Sequence, residues 1–426
     1  MNKITFNKST LDNGLRILTS RLPYTNSVGI VFLVGCGSRH ETNDIAGVSH
    51  LIEHVLFKGT KNKKTPKLIS SVVEDVGGSI NAFTDKEATG YWCKIPLENS
   101  TEGISLFADM FLNSLFRIGD INKEKKVIYE EIRSSYDSPA SHVNLLFENI
   151  LWPNHAMGRD IAGSINSVEN ISRNSLLSFF KKKYTSSNTV VSVVGNINHN
   201  KIVDLISKIL DKYKKVKEDN IKIYAPKTNS SSKLEFINKK TEQVHINIGF
   251  AGMNYLDDKK YSLSLLSVIL GETMGSRLFE EIRESRGLAY NIGSNVQYFK
   301  DTGSFFIDSA VEPKNLQETI KVVQNELEKV KQSITEEELL KAKKYTIGKM
   351  YMRLEDTMSI TNFLGFQEIT SGKIQTIEEI TKKFNDVTTS CVEKIANDVF
   401  DTTKMVISGV GPIDKNLRNS INNYFY

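Results

Sequence analysis

The stretch His50-Leu51-Ile52-Glu53-His54 carries the residue types and spacing from which chemistry can be argued. Residues four apart lie on one face of a helix, one turn above the other, so His50 and His54 can point at a common atom. Two imidazoles held in this way are two of the three protein ligands of a catalytic zinc site, whose fourth position stays open for water. Glu53, three residues after His50, sits close enough to take a proton from that water. Val48, Leu51, Ile52, Val55 and Leu56 would bury the remaining faces of this helix, and Lys58-Gly59 reads as its end. A third ligand must come from elsewhere in the chain. His40, His142, His155, His199 and His245 are scattered, and Cys36, Cys93 and Cys391 stand alone. Acidic candidates are better: the Glu130-Glu131 pair follows an apolar helix, with Glu124 one to two turns earlier. Taken without further context, His50, Glu53 and His54 read equally well as a solvated helix face.

The segments Gly47–Thr60 and Glu124–Ile132 resemble the pitrilysin family of zinc metallopeptidases, in particular its processing-peptidase-like branch. H-x-x-E-H, the inverse of the commoner H-E-x-x-H, is the inverzincin motif. The resemblance implies a glutamate as third ligand. From His54 to Glu131 the separation is 131 − 54 = 77, the family's spacing, and a further Glu stands 131 − 124 = 7 positions earlier. Glu130 meets only the first spacing, and loosely. One Zn²⁺ per chain is therefore expected on His50, His54 and Glu131, with Glu124 orienting the site from behind. Such a metal lowers the pKa of a water to about 7, and Glu53 is the implied general base.

The same resemblance assigns roles outside the motif. Gly77-Gly78-Ser79-Ile80-Asn81-Ala82 matches the family's edge strand, so Asn81, Ala82 and Phe83 are expected to grip an extended peptide by β-augmentation. Read alone, this is a hairpin with a turn asparagine. In the second half, an Arg-x-x-x-x-Leu-x-Tyr pattern places Arg283 and Tyr290 seven apart (290 − 283 = 7). The implied roles are Tyr290 donating to the oxyanion of a tetrahedral intermediate and Arg283 holding the substrate backbone. Spacing alone would leave a charged helix followed by a core tyrosine. The acidic residues that read arginine in the mitochondrial member of the branch fall here on Ser141 and Leu145, so no arginine preference is carried over.

The elements that must hold these residues repeat along the chain. At 426 residues, two to four domains are expected. With 39% hydrophobic and 25% charged residues the composition is that of a soluble globular protein, and a net charge of +5 is too mild to argue for nucleic acid. Three cysteines supply no disulfide framework. The amino terminus shows neither signal-peptide nor transit character, and no apolar run spans a bilayer, so a cytoplasmic protein without membrane or nucleic-acid partners is expected. Strands are read at 15–19, 27–36, 79–85 and 89–95, and helices at 65–77, 101–116, 123–151, 172–184 and 199–213.

Beyond a polar, Ser-rich segment the pattern starts again. Val244–Gly252 resembles Val28–Gly37, and Gly409–Asp414 resembles Val193–Asn198; 244 − 28 and 411 − 195 both equal 216. Two distant matches at one offset indicate a duplicated domain. The offset sets Leu266, Ile269 and Leu270 against His50, Glu53 and His54, and Ile347 against Glu131, so the second copy lacks the metal chemistry. The expectation is thus an α+β chain of two homologous α/β halves, each a mixed β-sheet packed by helices, at 1–213 and 235–426 with a linker at 214–234. The resemblance implies a clamshell enclosing a chamber that admits unfolded peptides, and a homodimer or heterodimer with a related subunit. A zinc-dependent metalloendopeptidase is the function expected. The alternative is a non-catalytic peptide-binding or structural subunit of the same fold.

Overall fold

Val- and Ile-rich runs bounded by turn residues become two mixed sheets in the computed structural model, which describes residues 4–215, 224–227 and 231–425. The first sheet holds β1 (Asn7–Thr10), β2 (Arg16–Arg21), β3 (Ser27–Val34), β4 (Ser79–Thr84), β5 (Thr89–Pro96) and β6 (Thr189–Gly195) in the order β1-β2-β6-β3-β5-β4. The second holds β7 (Lys233–Asn238), β8 (Val244–Ala251), β9 (Ala289–Tyr298), β10 (Gly303–Val311) and β11 (Val406–Gly411) in the order β7-β11-β8-β10-β9. Without β1 the two orders match strand for strand. In each, one pair is parallel, β2 with β6 and β7 with β11, and the other pairs are antiparallel. Val28 and Val244 stand at equivalent places in β3 and β8, and Gly195 and Gly411 each close the equivalent strand. The common offset of 216 therefore reflects two copies of one sheet.

Five helices matter to the site and its surroundings: α1 (Val48–Leu56), α2 (Pro66–Glu74), α3 (Ser100–Asn113), α4 (Ile118–Asp137) and α5 (Pro139–Leu151). The single helix expected over 123–151 is two. Pro139 cannot continue α4 because it lacks an N–H and crowds the preceding turn; it occupies the first turn of α5 instead, where Ser138 Oγ accepts from Ser141 N. Thr65 caps α2 in the expected way, its Oγ1 accepting from Leu68 N at 3.3 Å. No helix among the described residues is long and apolar enough to cross a membrane.

The chain packs as two compact units, each built from discontinuous segments. One comprises Met1–Ile132, Asp160–Ile223 and Tyr351–Ile377; the other comprises Arg133–Arg159, Tyr224–Met350 and Glu378–Tyr426. The continuous halves read from the sequence thus exchange one helix each. The physical reason is that each sheet has a strand buried on both faces, β3 in the first and β11 in the second. β3 is buried from Val28 to Val34, with α1 and α3 in the core on one side. Its other side takes the helix Thr357–Ser371, which comes so close that a Cβ on Gly365 would lie 2.6 Å from Leu33 Cδ1. In the other unit, Val143, Leu146 and Phe147 of α5 pack against Val406 and Val410 of β11, and Ser408 Oγ donates to Val143 O at 3.1 Å. Of the expected linker, 216–223 and 228–230 lie outside the described residues, and Lys233 and Leu234 already belong to β7.

Candidate metal centre

α1 starts where few residues other than glycine fit. Gly47 has a left-handed backbone (φ 94°), and a Cβ there would come 2.4 Å from Ala162 O. The first turn is held by a carboxylate from outside the helix. Glu41, buried in the loop after β3, accepts from Gly47 N through Oε2 and from Ser49 N through Oε1, both at 2.7 Å. This satisfies two orphan donors and places negative charge at the positive end of the helix dipole. Val48, Leu51, Ile52, Val55 and Leu56 are buried as the pattern predicts, which turns the half-buried His50 and His54 to the same side.

α4 supplies the acidic partners. Glu131 Oε2 lies 3.7 Å from both His50 Nε2 and His54 Nε2, and the two Nε2 atoms are 3.2 Å apart. These three residues form one group whose ligand atoms all fall within 4.8 Å of one another. Glu130 faces solvent and is not part of it. Glu124, buried, reaches His54 from behind: its Oε2 is 3.2 Å from Nδ1, while Oε1 meets Lys58 Nζ at 2.9 Å. An ionised carboxylate only accepts, so His54 carries its proton on Nδ1 and presents a bare Nε2 to the group. His50 Nδ1 is buried with no hydrogen-bond partner among the described residues, so no group fixes the His50 ring from behind as Glu124 does for His54.

Burial, and after it the neighbouring His54 imidazole, pushes His50 down to about 4. A neutral imidazole is the metal-binding form. Burial also raises the Glu53 carboxyl, against the hydrogen bond that Thr84 Oγ1 donates to its Oε2 at 2.6 Å and the nearby His54 ring; Glu131 pushes it up further. Two imidazole nitrogens and one carboxylate oxygen converging this closely form the donor set of a catalytic zinc site, and a divalent cation would both accept the two lone pairs and balance Glu131. The residues present therefore fit zinc. Because Glu124 fixes the His54 tautomer, Glu124→Gln is expected to weaken zinc binding by about 10–100-fold. Competition with a chromogenic chelator measures this, and unchanged affinity would remove Glu124 from that role.

β4 lies at the sheet edge beside α1. Asn81 Oδ1 accepts from Ala82 N at 2.8 Å, so this backbone donor is satisfied within the strand. Phe83 stacks on Phe366 with centroids 5.6 Å apart and rings 21° from parallel, and packs over Gly90, where a Cβ would sit 2.3 Å from its ring. In the other unit, Tyr290 is 79% exposed rather than a core residue, and the Arg283 guanidinium stacks 4.9 Å from its ring and 4.6 Å from Phe279. Leu266, Ile269 and Leu270 are buried core there, Ile347 packs against that core, and the helix passes through a π-helical turn at Val268–Glu272. Glu41, Thr84 and Phe366 were not found from the sequence. Each acts through a contact made only on folding, and Phe366 arrives from 283 positions beyond Phe83 (366 − 83).

Among the described residues the two-histidine, one-carboxylate group lies in the first of two copies of one mixed sheet, a donor set of the kind metallopeptidases use. The chain belongs to peptidase family M16, the pitrilysin family. The family model described as insulinase (peptidase family M16) matches residues 16–164, and that of the M16 inactive domain matches residues 170–345. Among its relatives is a protein of Streptomyces coelicolor named as an uncharacterized zinc protease, 32% identical over 96% of this chain and 90% of that one. YmxG of Bacillus subtilis, named in the same way, is 34% identical over 92% of this chain and 95% of its own. A protease from Helicobacter pylori of known structure superposes with a TM-score of 0.89 at 24% identity, covering 96% and 100% of the two chains, and shares the fold.

Proposed function

We propose that this chain is a zinc-dependent metalloendopeptidase that hydrolyses peptides or unfolded polypeptide segments. The observation that carries the reading is the convergence of His50, His54 and Glu131, with Glu53 one residue before a ligand on the same helix. When bound, zinc supplies Lewis acidity toward water and the scissile carbonyl. His50, His54 and Glu131 would hold the ion, and Glu124 would keep His54 in the tautomer that faces it. Glu53 takes the proton from the attacking water and returns it to the leaving amine, a task suited to a carboxyl raised by burial. The outer edge of β4 aligns the substrate backbone through Asn81, Ala82 and Phe83; the Asn81 side chain releases Ala82 N–H as the strand is added. The reading extends to Tyr290, whose exposed hydroxyl donates to the oxyanion, and to Arg283, which steadies the peptide. It also includes an enclosed chamber for the substrate, a homodimer or a pair with a related subunit, and a cytoplasmic location.

The test is incubation of the purified chain with a quenched, unstructured peptide, with and without a zinc-selective chelator. Cleavage should stop on chelation and return when zinc is added back. Cleavage indifferent to chelation would sink the zinc mechanism. A protein that holds almost no zinc and cleaves nothing would instead be a peptide-binding or structural subunit.

A further inference from the structure

The second sheet carries a polar pocket that the metal chemistry leaves unused. It is a cavity of about 380 Å³ lined by Asn144 of α5, His245 and Asn247 of β8, Asn291 and Asn295 of β9, and Asp308 of β10, among others. Strand pairing explains why these side chains meet. Asp308 stands opposite Asn247 on one side and Gly293 on the other, while Ala310 stands between His245 and Asn291. Side chains two apart share a face, so Asn291, Gly293 and Asn295 line one rim, and the missing side chain of Gly293 opens the space above Asp308. A Cβ on Gly293 would lie 3.3 Å from Asp308 Oδ1.

The amide orientations follow from the bonds they make. Asn144 Nδ2 donates to Ala140 O at 3.0 Å, so its Oδ1 is the atom that accepts from Asn247 Nδ2 at 2.6 Å. That leaves Asn247 Oδ1 as the remaining acceptor, buried and without a partner among the described residues, its partial negative charge in the floor of the pocket. Asn295 Nδ2 donates to Asp308 Oδ1 at 2.6 Å, which leaves its own Oδ1 as a further acceptor. Among the described residues no lysine or arginine lines the pocket, and burial lowers His245, which disfavours its charged form. Burial raises the Asp308 carboxyl, against the hydrogen bond from Asn295, so a cation seated between this carboxylate and the amide oxygens of Asn247 and Asn295 would offset that cost. The fold does not demand this set. In the first sheet, Val31 occupies the place of Asn247, and its neighbour Trp92 the place of Asp308.

We propose that this pocket binds a guanidinium or primary ammonium group, held by the Asp308 carboxylate and the amide oxygens around it. The inference does not depend on peptide hydrolysis. Such a group can come from a free organic cation or from a basic side chain of a polypeptide, and titration of the protein tells them apart. Arginine amide, acetylated on its α-amino group, should bind saturably, one per chain, and citrulline amide acetylated in the same way, which keeps the shape but carries no charge, at least about tenfold more weakly. Asp308→Asn should cost arginine amide a similar factor. Should that variant unfold, Gly293→Val, which fills the space with a residue suited to a strand, should abolish binding instead. An acetylated peptide with one internal arginine, titrated into Glu53→Gln protein to avoid cleavage, identifies a polypeptide source if it binds at least as tightly as arginine amide, and a free cation if it does not. No saturable binding of any of these probes, equal binding of citrulline amide, or wild-type affinity in both variants would overturn the proposal.

Discussion

Glu53→Gln is expected to lower kcat by roughly 10²–10⁴-fold, the usual worth of a positioned general base, while zinc content stays at one per chain. The substitution is nearly isosteric. The glutamine carbonyl can still accept the hydrogen bond from Thr84 Oγ1 that now holds Glu53 Oε2 at 2.6 Å, so the side chain keeps its place but loses the ability to carry a proton. Stability should not suffer. Burial raises the Glu53 carboxyl, which means that the folded chain disfavours its ionised form and that near neutral pH the charge costs some folding free energy. The variant should therefore melt at the wild-type temperature or slightly above it. The three readouts separate the possibilities: metal analysis reports the ligands, Tm reports the fold, and kcat reports proton transfer. A kcat within tenfold of wild type at full zinc occupancy would remove Glu53 as the base.

What the sequence made legible follows from how local each feature is. The facing of His50 and His54 depends only on helical period and on the apolar residues between them, and α1 forms as read. The duplication was legible because it leaves the same residues at a constant offset, and matching strand orders are its structural counterpart. Glu131 was chosen over Glu130 by spacing that the resemblance supplied; periodicity within α4 alone did not decide between neighbours. The exchange of α5 and of Thr357–Ser371 between the two units was not legible, because an apolar helix fits any apolar sheet face and its sequence does not say which one. The break at Ser138-Pro139 is legible in principle, since proline lacks an N–H and the residue before it disfavours helical backbone. Glu41 lay beyond sequence reasoning altogether, since a carboxylate six residues before a helix shows its capping role only once the loop has folded back.

Glu131→Gln is expected to weaken zinc binding by more than the roughly 10–100-fold that loss of a supporting partner causes, because it removes one of three ligands and the only carboxylate among them. Glu130→Gln is expected to leave zinc content and turnover within about twofold of wild type, as an exposed surface substitution should. The contrast rests on helix geometry. Successive residues of α4 point about 100° apart, so only one of the pair can face α1, and Glu131 Oε2 at 3.7 Å from both imidazole Nε2 atoms is that one. The side chain of Glu131 is 43% exposed, so the loss of its charge should leave the fold intact and confine the effect to the metal. Zinc stoichiometry after dialysis against a chelator of graded strength measures both variants side by side. If Glu130→Gln lost the metal and Glu131→Gln kept it, α4 would have to turn by one residue on binding the ion, and the ligand set drawn from the present geometry would be wrong.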